Sequence, residues 1–300
     1  MAVLLHLARR VHGSRIVRIC TRVVAIVVHL IGGRLRLTSL QLHGKSARDG
    51  RRADTACSTT LRATAVCHVF YPALVAEVVS AAQRAPFIDR IIVTCPFEKY
   101  STIKELTRPY EHQSPKMELE VVAVQNAGRD VLPFFHLLHH PWIRDADLVL
   151  KIHSKRSPHL VAGRGDSWRT SLLEGLSPVV PSRQYGLART LARTASVSKP
   201  YLVWPARWAY SVESWGANRV AAQSLSVRRH RFRTGPLLFP AGTMFWCNQA
   251  FLKRLAVLPP FDPTRSLQHN ESSLDGTLAH SLERVFGQLA LEHGSVILTY

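Results

Sequence analysis

The sequence predicts an α/β fold built on a mostly parallel central sheet. Three observations carry that expectation. From about residue 63 onward, short apolar runs alternate with segments of helical periodicity, the order that βαβ units require. The apolar runs are short and bounded by turn residues such as Pro72 and Pro96, as buried strands are. The composition, 46% hydrophobic and 20% charged over 300 residues, is that of a globular chain with room for one large domain or two small ones. It excludes a wholly disordered or collagen-like chain.

The elements follow in order. Ala63–Phe70 reads as a first strand and Ala73–Ala85 as a helix. Arg90–Cys95 is a second strand, closed by Pro96, and Glu98–Tyr110 a second helix. Leu119–Val124 and Ala146–Ile152 are further strands, with a helix over Val131–His140 between them. In the second half, Asp166–Gly175 and Ser182–Arg193 have helical patterns, Tyr201–Pro205 and Leu237–Cys247 read as strands, and Gln249–Leu258 and Leu274–Glu292 as helices. No internal repeat or low-complexity tract interrupts them. Parallel sheets bind ligands beyond the carboxyl ends of their strands. The loops at 67–72, 95–98, 125–130 and 153–166 are therefore the ones to watch.

Charge is the unusual feature. The 39 Lys and Arg against 20 Asp and Glu leave a net +19, which points to an anionic partner: nucleic acid, a membrane surface or a phosphorylated ligand. Residues 1–62 hold 12 of those basic residues and only two acids, Asp49 and Asp54. We read 1–62 as a basic extension, partly disordered or lying on a membrane surface through residues 1–40, and 63–300 as the functional domain. The longest uncharged apolar run in the extension, Val23 to Ile31, is too short for the roughly 20 residues that span a bilayer. Lys45–Thr60 is polar and reads as a linker. The five cysteines, at 20, 57, 67, 95 and 247, form no CxxC pair, so a reducing compartment fits best.

Four segments carry residues able to do chemistry. Asn126-Ala127-Gly128-Arg129-Asp130 leaves a strand and enters a helix. Asp130 is placed to cap that helix, Arg129 to grip a phosphate. In Lys151-Ile152-His153-Ser154-Lys155-Arg156, strand alternation puts Lys151, His153 and Lys155 on one face. Burying such a face requires an anion to meet it. Phe239–Trp246 holds aromatics that either line a sugar site or fill the core, and Asp275 falls at the start of the last long helix, where a carboxylate is favoured. His136, His139 and His140 share a helical face but lack the carboxylate or HExxH context of a metal site.

Together, HVFYPAL, NAGRDVLPF, LVLKIHSKRSPH, GDSWR, WGANR, FPAGTMFW and LDGTLAHSLERVFG, in this order from Ala63 to Leu291, resemble the rhamnan synthesis protein F family. The resemblance implies a Rossmann-like, GT-A-type glycosyltransferase of bacterial polysaccharide and lipopolysaccharide synthesis. Such an enzyme, here a rhamnosyltransferase, would move a sugar from a nucleotide-sugar donor such as dTDP-rhamnose to a lipid-linked saccharide acceptor. It would work in the cytoplasm, at the inner face of the plasma membrane. In that frame Asp275 is the catalytic base. Asn126, Arg129, Asp130, Lys151, His153, Lys155 and Arg156 bind the donor, and Trp168, Trp215, Gly242 and Trp246 lie on the acceptor side. The Asp-x-Asp metal motif of GT-A enzymes is missing at the strand end, where Lys151, His153 and Lys155 stand instead, while Asp145 and Asp147 flank the strand's first residue, Ala146. No cofactor or metal is therefore expected. The rival reading is a non-catalytic polyanion-binding or scaffold module. Nucleic acid is not expected as a partner, because no nucleic-acid-binding motif accompanies the charge.

Overall fold

A computed structural model describes residues 41–42, 61–111, 113, 117–156, 164–195, 197–212, 218, 222, 237–258, 277–293 and 295–299. Four parallel strands start the sheet: β1 (Gln41–Leu42), β2 (Ala63–His68), β3 (Ile88–Pro96) and β4 (Glu118–Val124). They are followed by β5 (Leu148–His153), β6 (Tyr201–Pro205), β7 (Ala209–Val212), β8 (Leu237–Pro240), β9 (Phe245–Asn248) and β10 (Ser295–Thr299). The eight-stranded sheet runs β1-β10-β6-β9-β5-β2-β3-β4, and β7 and β8 form a separate antiparallel pair. Within the large sheet only β9 is antiparallel, to both β5 and β6. The edge strand β1 belongs to the segment read as an extension, yet it pairs in parallel with β10.

The helices are α1 (Val75–Arg84), α2 (Tyr100–Glu111), α3 (Val131–His136), α4 (Pro141–Asp145), α5 (Arg164–Leu176), α6 (Pro181–Ala195), α7 (Gln249–Ala256) and α8 (Leu278–His293). In α1, Val75, Val78, Val79 and Ala82 recur at helical spacing and are buried, so one stripe faces the sheet. Strand alternation splits the core in two. On one face Ala65, Cys67, Val93, Leu150 and Trp246 pack under Val79 of α1, Leu172 and Leu176 of α5 and Leu191 of α6. On the other, Val66, Ile92, Val149 and Phe245 pack under Phe134 of α3, Phe251 of α7 and Phe286 of α8. Phe245 meets these three rings edge-on at centroid distances of 6.0, 6.1 and 5.6 Å, the geometry that aromatic quadrupoles favour. α8 also lies against β8 so closely that a Cβ on Gly287 would sit 1.9 Å from the Leu238 carbonyl oxygen.

Two elements differ from the sequence expectation. Leu237–Cys247 is not one strand but β8 and β9, separated by a turn. Gly242 and Thr243 adopt φ of 94° and 51°, and the Thr243 N–H donates to the Pro240 carbonyl at 2.8 Å, so the chain reverses there and changes sheet. Val131–His140 is not one helix either. α3 ends at His136, and α4 begins at Pro141 behind His140, whose ring accepts from the Trp142 N–H at 3.3 Å. Proline at a first helical position suits a new helix, not the continuation of an old one.

The winding places the site. From β2 the chain steps outward through β3 to β4, then returns to β5 on the other side of β2. α1, after β2, covers one face, and α3, after β4, covers the other. The carboxyl ends of β2 and β5 thus flank a topological switch point, where doubly wound sheets open a ligand crevice.

Candidate functional site

His68 and His153 end β2 and β5 as register partners at that crevice. Lys151, two residues earlier on the same face, is 1% exposed. Its ammonium donates to the Asp130 carboxylate and, at 2.9 Å, to the Thr243 carbonyl. The Thr243 hydroxyl donates to the same Asp130 oxygen. His153 Nε2 donates to the Gly242 carbonyl at 2.7 Å and stands 3.7 Å from Asp130 Oδ2. Asp130 reaches this cluster because Gly128 and Arg129 take φ of 60° and 57°, which glycine tolerates and arginine does at some strain. The expected cap on α3 does not form: Asp130 occupies that position without a side-chain bond to the helix, and its carboxylate pairs instead with Lys151 of β5 and Thr243 of the turn before β9.

The electrostatics follow from burial. Desolvation pushes His153 down to about 4, with Asp130 opposing, and pushes His68 down to about 3. His68 Nδ1 shares a hydrogen bond with Thr94 Oγ1 at 3.0 Å. Burial on its own would raise Asp130, but its cationic and hydrogen-bonding partners hold it well below the usual carboxylate range. The charge of His153 comes first among these partners, then that of Lys151, followed by the hydrogen bonds from Lys151 and Thr243.

Lys155 behaves differently from Lys151. It is half-buried, its Nζ lies 4.0 Å from the Trp168 ring centroid, and no hydrogen-bond acceptor meets that ammonium among the described residues. Burial lowers its pKa, with Glu283 opposing. Burial likewise raises Glu283, with Lys155 opposing, and Glu283 Oε1 accepts the Gly242 N–H at 2.5 Å. Gly242 lies against both: a Cβ there would come within 3.6 Å of Trp168 Cζ2 and 3.7 Å of Lys155 Cδ.

Asp130, Lys151, His153, Lys155, Trp168 and Gly242 therefore converge. Arg129, exposed, stands on the adjoining rim and donates from Nη1 to His280 Nε2 at 2.9 Å. Since guanidinium only donates, the His280 proton is on Nδ1, 2.8 Å from Thr277 Oγ1. Arg156 lies over the Tyr71 ring at 5.0 Å. Asn126 is apart, donating to Glu98 at 3.0 Å on the surface. Trp246 corrects an expectation: it is 0% exposed on the opposite face of the sheet, and its indole N–H donates to the Leu176 carbonyl at 2.9 Å. Alternation along β9 puts Phe245, not Trp246, on the Lys151 face, so Trp246 lines no acceptor channel. Trp215 and Asp275 lie outside the described residues. Asp147, whose carboxylate accepts the Arg62 N–H at 2.9 Å, serves the start of β2, away from the crevice.

Thr243, Glu283, His68 and His280 were not singled out from sequence. Thr243 stood inside FPAGTMFW and Glu283 and His280 inside LDGTLAHSLERVFG, but one hydroxyl or acid among apolar residues carries no periodic signal. Among the described residues no three His, Cys, Asp or Glu side chains are grouped so as to hold a metal ion.

Fold and site define a mostly parallel α/β domain whose switch-point crevice is lined by basic groups and balanced by two partly buried acids, Asp130 and Glu283. The chain belongs to the rhamnan synthesis protein F family, whose family model matches residues 45–295. It is 30% identical over 233 residues to the uncharacterized protein WxcX of Xanthomonas campestris pv. campestris strain B100. The WxcX of a second strain of that pathovar is 29% identical over 233 residues. Each alignment covers 77% of this chain and 31% of the relative, so the chain spans about a third of the length of the curated relatives it matches. Among solved structures it is similar to the 4-diphosphocytidyl-2C-methyl-D-erythritol synthase of Anaerococcus prevotii DSM 20548, with a TM-score of 0.32 and 12% identity over 69% of this chain and 81% of that one.

Proposed function

We propose that the protein is a nucleotide-sugar-dependent glycosyltransferase of GT-A type, a rhamnosyltransferase that extends a cell-surface polysaccharide such as rhamnan or O-antigen. The observation that carries this reading is Lys155. Lys151 is neutralised within the protein by Asp130, whereas among the described residues the Lys155 ammonium beside the same crevice meets the Trp168 face, with Glu283 and then Asp130 as the nearby acids. A half-buried cation without a hydrogen-bond acceptor favours an anion brought from outside.

The donor's diphosphate fits that position. Lys155 would take the charge that develops as the bond from the anomeric carbon to the diphosphate breaks, with Arg129 and Arg156 at the rim. Lys151 and His153 would hold the floor of the site through Asp130, Thr243 and Gly242 rather than touch the donor themselves. Asp275 would accept the proton of the acceptor hydroxyl as its oxygen attacks the anomeric carbon. The departing charge is met by side chains, so the reaction would need no divalent metal. The acceptor is a lipid-linked saccharide, reached at the cytoplasmic face of the plasma membrane, with the basic residues 1–40 in contact with anionic lipid. Among the described residues no helix is long and apolar enough to cross a membrane.

The reading is tested by thermal unfolding with dTDP-rhamnose. A ligand that binds only the folded chain raises the melting temperature. We expect dTDP-rhamnose to stabilise the protein without added metal, and Lys155→Met to remove most of that stabilisation. No shift with dTDP-rhamnose or with other nucleotide sugars would overturn the reading.

A further inference from the structure

Arg169, in the second turn of α5, is 5% exposed. Its Nε donates to Glu77 Oε1 and Oε2 at 3.1 and 3.0 Å, and its Nη2 lies 2.9 Å from Oε2. Glu77 stands in the first turn of α1. Arg169 Nη1 donates to Asp166 Oδ1 at 2.7 Å and to the Lys155 carbonyl at 2.8 Å. One planar guanidinium therefore ties two helices to the backbone of the residue whose ammonium faces the crevice.

Residues 153–155 are fixed from the other side as well. The Lys155 N–H donates to the His153 carbonyl at 2.9 Å. The Ser154 hydroxyl accepts the Phe70 and Tyr71 N–H groups at 2.8 and 3.1 Å, joining this stretch to the loop after β2. The Lys155 side chain then lies along Trp168, the neighbour of Arg169 in sequence. The backbone that sets where Nζ can reach is thus held by Ser154 on one side and by Arg169 on the other.

We propose that Arg169 is a positioning residue for donor binding: by clamping the Lys155 carbonyl to Glu77 and Asp166, it fixes the place at which the Lys155 ammonium meets the donor diphosphate. The inference rests on the donor-binding reading of Lys155. Lysine cannot replace Arg169 in this role, because a single ammonium cannot reproduce the planar fork that spans three acceptors.

The test is a double-mutant cycle on the full chain, titrating dTDP by calorimetry into the wild type, Lys155→Met, Arg169→Lys and the double variant. Lys155→Met is expected to weaken dTDP binding by about tenfold or more. Arg169→Lys should weaken it by about three- to tenfold alone and by no further factor in the Lys155→Met background, since coupled groups are non-additive. An equal loss in both backgrounds, or a lowered melting temperature with unchanged affinity, would make Arg169 merely structural and overturn the proposal. If Lys155→Met binds dTDP as tightly as the wild type, the donor-binding reading itself fails. Should Arg169→Lys lose its near-UV circular dichroism, Glu77→Gln replaces it in the cycle. That change weakens the clamp from the α1 side at constant shape, and the same outcomes decide.

Discussion

The Lys151 ammonium donates to the carboxylate of Asp130, 21 residues earlier in the chain, and the two form a buried ion pair at the end of β5. Lys151 is 1% exposed and the Asp130 side chain 12%, so Lys151 has no water to replace its partner. Removing one member leaves an unpaired buried charge, which typically costs about 3–5 kcal/mol. Lys151→Met is therefore expected to destabilise the protein by about that amount in urea unfolding. The double variant Lys151→Met/Asp130→Asn should recover part of it, because no buried charge is then stranded. A loss under 1 kcal/mol for Lys151→Met would show that the pair contributes little.

Stability should fall as the pH drops through the ordinary histidine range. His153 and His68 are held near 4 and near 3 in the folded protein, chiefly by burial, against about 6.5 when unfolded. Below pH 6.5 the unfolded chain takes up protons that the folded chain refuses, so each histidine's contribution is lost as pH falls toward its folded value. The slope is up to about 1.4 kcal/mol per pH unit for each. Asp130, held low, acts with the same sign at still lower pH, below the ordinary carboxylate range. Urea midpoints at pH 7.5 and 5.5 measure this. His153→Gln, which keeps an N–H for the Gly242 carbonyl, should flatten the profile. Equal midpoints at the two pH values would contradict the burial of both rings.

Gly242→Ala tests the turn that shapes the crevice. At φ 94° an alanine is strained wherever its methyl points, and that methyl would also lie 2.9 Å from Leu172 Cδ1. Strain of this kind is worth about 1–3 kcal/mol. The substitution should lower the melting temperature and weaken dTDP binding together, because Trp168 and Lys155 share the space. A variant as stable as the wild type would show that the turn relaxes freely.

Asp275→Asn separates catalysis from stability. The change is nearly isosteric and keeps a side-chain oxygen three residues before α8 in sequence, so loss of any capping role costs about 1 kcal/mol or less. Losing a general base lowers the rate by about 10²–10⁴-fold. Transfer rate should collapse while melting temperature and dTDP affinity hold. Near-normal transfer would remove Asp275 as the base.

Much of the sheet was legible because its strands are continuous apolar runs, as in Ala63–His68, where every residue is buried. The carboxyl edge of the sheet followed from that alternation, and it holds Asp130, Lys151, His153 and Lys155. What periodicity could not show was pairing across long sequence distances. The sequence required an anion for buried Lys151 but could not reveal that Asp130 supplies it from within. Nor could it show that the Gly242-Thr243 turn breaks Leu237–Cys247 in two, which puts Trp246 on the far face. Glu283 lies 41 residues beyond Gly242 and meets it only because α8 folds back over β8, a contact that Gly287 permits. The two-residue strand β1 is too short to carry a period at all.

The central claim is sugar transfer from a nucleotide-sugar donor, and mass spectrometry of the reaction tests it most directly. The full chain is incubated with dTDP-rhamnose and a lipid-linked saccharide acceptor in the presence of EDTA. We expect the acceptor to gain one deoxyhexose and dTDP to be released in equal amount, at a rate that magnesium or manganese does not raise. Folded protein that binds dTDP yet leaves the acceptor mass unchanged, with and without metal, would contradict the account.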